Sequence, residues 1–331
     1  MRISTVTQNL RIDNAITTIQ DRIADAQLQI STGKRSQVYS GFDGQDSRLL
    51  ITLKEQHTTI DSYFTTIKNT AVKTSTIDIA LRQVGDLTSD LRTKLYEQVE
   101  GLYDDSSLAL RTFANAAIDQ ITSLLNQTAD GKYLFNGTDT NVQPLIDAAT
   151  TKAAYLALPP PALNAGAAGV IAAAQGFFNT DANWTNVTTP APGSLTARID
   201  DGVDVTYGEL GNDSTTFEEV FDVLYAFANI NFTAGDDAEY QTLVNWGIGK
   251  VEAAFDLIND MVGQNGVVSR QMDDRGQQHR ETVTLVETQI LDLEDVDPYE
   301  AVSEFQTLQA QLEASFQVTA VLRNLTLTRF L

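Results

Sequence analysis

Lys34 and Arg35 follow a glycine in STGKRS, residues 31–36, a grouping that could cradle a phosphate. A phosphate loop needs an earlier glycine at a fixed distance and Ser or Thr directly after its lysine. Here position 28 is leucine and Arg35 follows Lys34, so the stretch reads as a helix stop instead. DGQDS, residues 43–47, sets acids around a glycine as a calcium loop does. It lacks the Asp-x-Asp-x-Asp-Gly core and the closing glutamate, and reads as a turn with a helix N-cap. LEDVDPYE, residues 293–300, could draw a hard cation, but its acids bracket a helix start, where they complement the helix dipole. His57 and His279 are the only histidines, and neither has a His or Cys neighbour at ligand spacing. Each reads as a surface or seam histidine. No Gly-x-Ser-x-Gly, His-Glu-x-x-His or dinucleotide fingerprint occurs. The chain is read as no enzyme, with no catalytic, metal or cofactor-binding residues and no cofactor.

Composition narrows the partners. Twenty-two basic against 44 acidic residues give a net charge of −22, which argues against nucleic acid, because that needs a basic footprint. Such a chain repels its own copies at low salt, so any self-assembly must rest on apolar seams. There is no cysteine, hence no disulfide and no thiolate zinc site. No apolar run approaches the ~20 residues that span a bilayer, so no membrane insertion is expected. The opening MRISTVTQNLRIDNAI has no uninterrupted apolar stretch and does not read as a cleavable signal.

The elements around these residues are mostly helical. Ile12, Ile16, Ile19, Ile23, Ala26 and Ile30 recur at alternating spacings of four and three, a heptad seam. This helix should end at Ser31-Thr32-Gly33, where glycine accepts the left-handed terminator conformation. A second helix is expected from about Gln45 to Val99, with a seam shift between Thr74 and Ile77. A third is expected from about Ser106 to Thr128, closing at Asp130-Gly131, after a turn at GLYDD, residues 101–105. Later, Val244, Ile248, Val251, Phe255, Ile258 and Val262 mark a helix that GQNG, residues 263–266, could break. Val283, Val286, Ile290 and Leu293 mark its continuation. Asp297-Pro298 opens a last helix, with proline at its first position and Phe305, Leu308, Leu312, Val318, Leu322 and Leu325 on its seam.

The middle differs. Residues 141–240 hold six of the seven prolines and much Ala, Thr, Asn and Gly. LPPPALNAGAAG, residues 158–169, reads as loop. RIDDGVDVTYGE reads as two strands turning at Asp201-Gly202. STTFEEVFDVLYAFANI reads as a helix opened by Thr215 with Glu218 three residues on. Trp184, Tyr207 and Phe178 could form an aromatic platform for carbohydrate, although core packing explains them more simply.

The fold class is therefore mainly α: a long antiparallel helical bundle or coiled coil from the N- and C-terminal regions, with an inserted irregular α/β outer domain. Each terminal helix is too one-sided to stand alone, so the two should pair. Three parts are expected: 1–32 with 298–331 as an inner core, 33–140 with 241–297 as a helical bundle, and 141–240 as the insert. Gly33, Lys34, Arg35, Gly41 and Gly44 lie in the connector between the first two parts, where the basic pair should meet acidic neighbours.

MRIST at the start, QISTGKR after the first seam, DGKYLFNGTDTNVQPL at 130–145 and the closing DPYEAVSEFQTLQAQLEASFQVTAVLRNLTLTRFL carry a resemblance. Together they resemble the bacterial flagellin superfamily over roughly the first 145 and last 90 residues. GKYLFNGT and FEEVFDVLYAFAN are similar to its hook-associated branch. Where the family commonly has a Pro-Ser-Asp-Asp-Pro type of sequence, this chain has YSGFDGQDS. The resemblance implies an extracellular structural subunit of the flagellar axis, joining hook to filament or building the filament itself. It implies export through the flagellar apparatus without a cleaved signal and an export chaperone. It further implies partnership with copies of itself, with hook-associated protein and with flagellin. Ile12, Ile16, Ile19, Ile23, Ile30, Phe305, Leu308, Leu312, Leu322 and Leu325 would then form the assembly interface. An adhesin or carbohydrate-binding module using the insert is the alternative of another class.

Overall fold

The computed structural model describes residues 2–100, 103, 105–158, 166–188, 191–230, 232 and 236–327, with side chains for all of these except 2–6, 8, 9, 105, 106 and 322–327. In chain order its helices are α1 (Arg2–Thr32), α2 (Gly44–Glu97), α3 (Asp105–Leu125), α4 (Ala148–Leu156), α5 (Gly166–Phe178), α6 (Phe217–Ala228), α7 (Asp237–Glu294) and α8 (Pro298–Leu327). Two antiparallel hairpins accompany them, β1 (Thr128–Ala129) with β2 (Lys132–Tyr133), and β3 (Leu195–Asp200) with β4 (Val203–Tyr207). The fold is thus mainly α with small antiparallel sheets, of which β3–β4 lies in the inserted region, as the periodicity predicts.

The chain divides into two compact units, 1–61 with 280–331 and 62–279. In the first, α1 packs on α8. Helix α1 ends at Thr32 because Gly33 turns left-handed (φ +72°) and its N–H donates back to Gln29 O at 2.8 Å. Helix α8 starts at Pro298, and Asp297 caps it by accepting the Tyr299 N–H at 2.8 Å.

The second unit is built on an aromatic core. Every residue of α6 from Phe217 to Ala228 is buried except Glu218 and Glu219, which are half-buried. Phe221 and Tyr225 of α6 meet Phe178 of α5, and Trp184 closes on Phe178 and Phe221. The Trp184 indole N–H donates to Phe178 O at 2.9 Å, so its one polar atom is satisfied. Gly247 of α7 lets α6 come close: a Cβ there would lie 3.0 Å from the Phe227 ring and 3.3 Å from Val223.

Four local expectations are corrected. Helix α3 ends at Leu125, and Asp130 (φ +53°) with Gly131 (φ +71°) forms the turn of the first hairpin, the Asp-Gly pairing that two-residue hairpins favour. Helix α7 runs through GQNG unbroken, because Asn265 is buried and donates to Thr74 O of α2 at 2.8 Å. That bond sits at the seam shift in α2, where Thr70 and Thr74 are both buried. The insert is more helical than expected: Ala-rich α4 and α5 stand there, the latter opening at Gly166 inside the stretch read as loop. Residues 159–165 of that stretch, and 101, 102 and 104 of the GLYDD turn, lie outside the described residues. Helix α6 starts from Asp213, whose backbone carbonyl accepts from Phe217 and Glu218 and whose side chain accepts from Thr215, in place of a Thr215–Glu218 capping box.

Candidate assembly surface and connector clasp

On α1, Ile12, Ile16, Ile19 and Ile23 are half-buried and Ala26 is fully buried. The heptad then continues on half-buried Gln29, whose amide donates to Arg35 O at 2.8 Å, while Ile30 stays 40% exposed. On α8, Ala301 and Leu308 are buried and Phe305 and Leu312 half-buried. Further along, half-buried Ser315 and Thr319 continue that face, and Val318 is 55% exposed. Leu322 and Leu325 fall in α8, but their side chains lie outside the described residues. Arg22 and Glu304 tie the two helices at 2.7 Å across exposed flanks, a surface pair worth little by itself.

Pairing α1 with α8 therefore withdraws only part of the apolar surface. Leu10, Leu28, Phe316, Val318 and Val321 stay between 47% and 57% exposed, and the isoleucines of α1 keep part of their surface in water. Full burial of such a side chain is worth ~1.5–3 kcal/mol, so a partner covering these faces would gain several times that. Exposed apolar side chains thus remain on both helices of the pair.

The connector is held by a clasp. Glu294, at the end of α7 and 6% exposed, accepts from Lys34 Nζ at 2.7 Å and from Lys54 Nζ of α2. Burial alone would push the Glu294 carboxyl up, but the two ammonium groups outweigh it and hold it below the usual range. Lys54 is raised in return, mainly by its hydrogen bond to Glu294, and also sits 5.4 Å from the Tyr39 ring centre. Backbone bonds complete the clasp: Arg35 N–H to Glu294 O at 2.7 Å and Val296 N–H to Gly33 O at 3.0 Å. The Arg35 guanidinium donates to Asp295 O at 2.8 Å. The basic pair thus meets the acidic LEDVDPYE stretch, although Arg35 uses a carbonyl there, not a carboxylate.

Beyond the clasp, residues 36–43 fold into a short helical turn at Tyr39–Gly41. Gly41 is required by close approach, since a Cβ would lie 2.2 Å from Ser36 Oγ. Gly44 opens α2 with free space around it. Ser47 Oγ donates to Tyr39 O at 2.6 Å, fixing the DGQDS turn to the helix start. The inward face of α2 begins at Leu50 and Leu53, while Leu49 is 48% exposed.

The histidines serve structure. His57 places Nδ1 3.3 Å from Asp61 and Nε2 3.1 Å from Glu287, bridging α2 to α7. His279 is buried, stacks on Tyr63 and donates from Nε2 to Ile199 O at 2.7 Å. With the Arg275–Asp200 pair at 2.9 Å, it pins the β3–β4 hairpin to α7. The stretch from Arg270 to Glu281 is strongly polar in sequence. Met272, Gly276 and His279 are in fact buried there at spacings of four and three, a signal readable from position alone.

Phe178, Trp184 and Tyr207 are 1%, 2% and 8% exposed, so they form core and not a platform. Asp222, on the apolar helix α6, was missed. It is 3% exposed, its Oδ1 has no hydrogen-bond partner, and burial first, then Glu218, pushes it up to about 7 despite Lys250. Among the described residues no His, Cys, Asp and Glu group could hold a metal, and no helix is long and apolar enough to cross a membrane.

Residues 248–331 match the family model for the bacterial flagellin C-terminal helical region. No protein of curated function matches the sequence. Solved structures share the fold, among them the following three. A flagellar hook-associated protein from Vibrio parahaemolyticus aligns with TM-score 0.55 at 15% identity, over 76% of this chain and 98% of that one. Bacillus cereus FlgL aligns with TM-score 0.52 at 10% identity, over 71% and 97%. Xanthomonas campestris FlgL aligns with TM-score 0.51 at 12% identity, over 71% and 97%.

Proposed function

We propose that this chain, whose last quarter matches the C-terminal helical region of flagellin, is a non-enzymatic structural subunit of the bacterial flagellar axis that joins hook to filament. The observation that carries this reading is the α1–α8 pair, which leaves apolar faces in water on a chain of net charge −22. Such faces need a covering layer, and copies of the same pair supply one. A contact repeated between like subunits without closing builds a helical tube. In this reading 1–32 with 298–331 form the inner core, 33–140 with 241–297 a helical bundle, and 141–240 an outer insert. Ile12, Ile16, Ile19, Ile23, Ile30, Phe305, Leu308, Leu312, Leu322 and Leu325 carry assembly, with copies of the chain and with neighbouring hook-associated protein and flagellin. Export runs through the flagellar apparatus, aided by a chaperone, to the cell exterior. Likeness to hook-associated proteins across nearly their whole length supports the junction role over that of filament subunit.

Gene deletion tests it. Loss of a junction subunit releases unpolymerised flagellin into the medium while hooks persist. Loss of the sole filament subunit leaves no flagellin to release. Electron microscopy of the purified chain gives the second criterion, since long homopolymers would identify a filament subunit.

A further inference from the structure

A cavity of about 320 Å3 lies in the second unit under the base of the β3–β4 hairpin. Ile77 of α2 and Asn265 of α7 are its buried floor, Tyr207 and Glu209 one wall, and Thr206 and Gln264 its exposed rim. Two acceptors there are uncommitted. The half-buried Glu209 carboxylate has no hydrogen bond or ion pair among the described residues, and neither has Asn265 Oδ1, although Asn265 is 7% exposed and its Nδ2 is used on Thr74. Among the described residues no Lys or Arg lines this cavity.

We infer that this cavity binds a small organic cation, an ammonium or guanidinium group whose N–H donors satisfy Glu209 and Asn265 together. The chemistry follows from the inventory. A carboxylate and an amide oxygen only accept, so a ligand bearing donors and positive charge completes both. The volume is at the lower end of ligand sites and matches an amine of amino-acid size. Burial raises Glu209 and neighbouring Asp213 raises it further, and a bound cation would offset both. The hairpin that roofs the cavity is pinned at its far end by His279 and Arg275, which keeps the wall in place.

Isothermal titration of the full chain with agmatine at physiological salt tests this. One saturable site is expected. Glu209→Gln, which keeps size and removes charge, should weaken it at least about tenfold, the loss of one charged hydrogen-bond partner. Thr206→Tyr, which obstructs the rim without touching the acceptors, should weaken it similarly. Asp86→Asn, an exposed acid on α2 away from the cavity, should leave it unchanged. Absence of a saturable site overturns the inference. So does equal weakening by Asp86→Asn, or unchanged binding in Thr206→Tyr, since either means diffuse attraction to an acidic surface.

Discussion

At Glu294 one carboxylate holds two stretches of chain, the connector through Lys34 and α2 through Lys54. Glu294→Gln keeps the shape and removes the charge, and should destabilise the first unit by about 1.5–3 kcal/mol, the range for hydrogen bonds to charged groups. Because the folded carboxyl is held low, its contribution is complete above a pH of about 4.5 and is lost as pH falls below that. Thermal melting of wild type and Glu294→Gln should therefore differ at neutral pH and converge in acid. Asp222 has the opposite sign. Its ordinary value of 3.8 becomes about 7 in the folded chain, so folding is penalised progressively as pH rises from about 4 to about 7, then levels off. The ceiling on that penalty is about 4 kcal/mol. Asp222→Asn should flatten this part of the stability–pH curve. An unchanged slope in that variant would remove Asp222 as its source.

Between residues and the whole, the helices were largely legible and their inward faces less so. Apolar spacing located α1, α2, α7 and α8, because each keeps a seam over many turns, with a shift of register in α2 between Thr74 and Ile77. It set the last turn of α1 on Ile30, where the chain instead turns Gln29 inward to bind the connector. On α2, Leu50 is the buried residue, while Leu49, 100° away around the helix, is exposed. Short elements escaped for a different reason. Strands β1 and β2 are two residues each, too few for any period, and the α4 and α5 helices are alanine-rich and carry little contrast between faces. The clasp was half legible: a basic pair and an acidic stretch could be named, but which carboxylate receives Lys34 depends on a contact 260 positions away. At this scale Gly41→Ala should disturb the 36–41 turn, since the new Cβ would overlap Ser36. Faster tryptic cleavage after Lys34 and Arg35 would report it, and wild-type cleavage would show the turn adapts.

For the whole molecule, the two compact units make separable predictions. Ile19→Asp puts a charge on the α1 face toward α8, and Leu312→Asp does so on α8. Both should abolish incorporation into flagella while the aromatic core of the second unit keeps its near-ultraviolet circular dichroism, dominated there by Trp184 and its ring neighbours. Assembly of either variant at wild-type yield would show that the α1–α8 seam is not what copies assemble through. The most direct measurement is immunogold electron microscopy of intact flagella with antibody against residues 141–240. Label confined to a narrow band where hook meets filament, and lost in Ile19→Asp, is the expected result. Label spread along the filament would contradict the junction role, and no label on flagella at all would contradict the axial one.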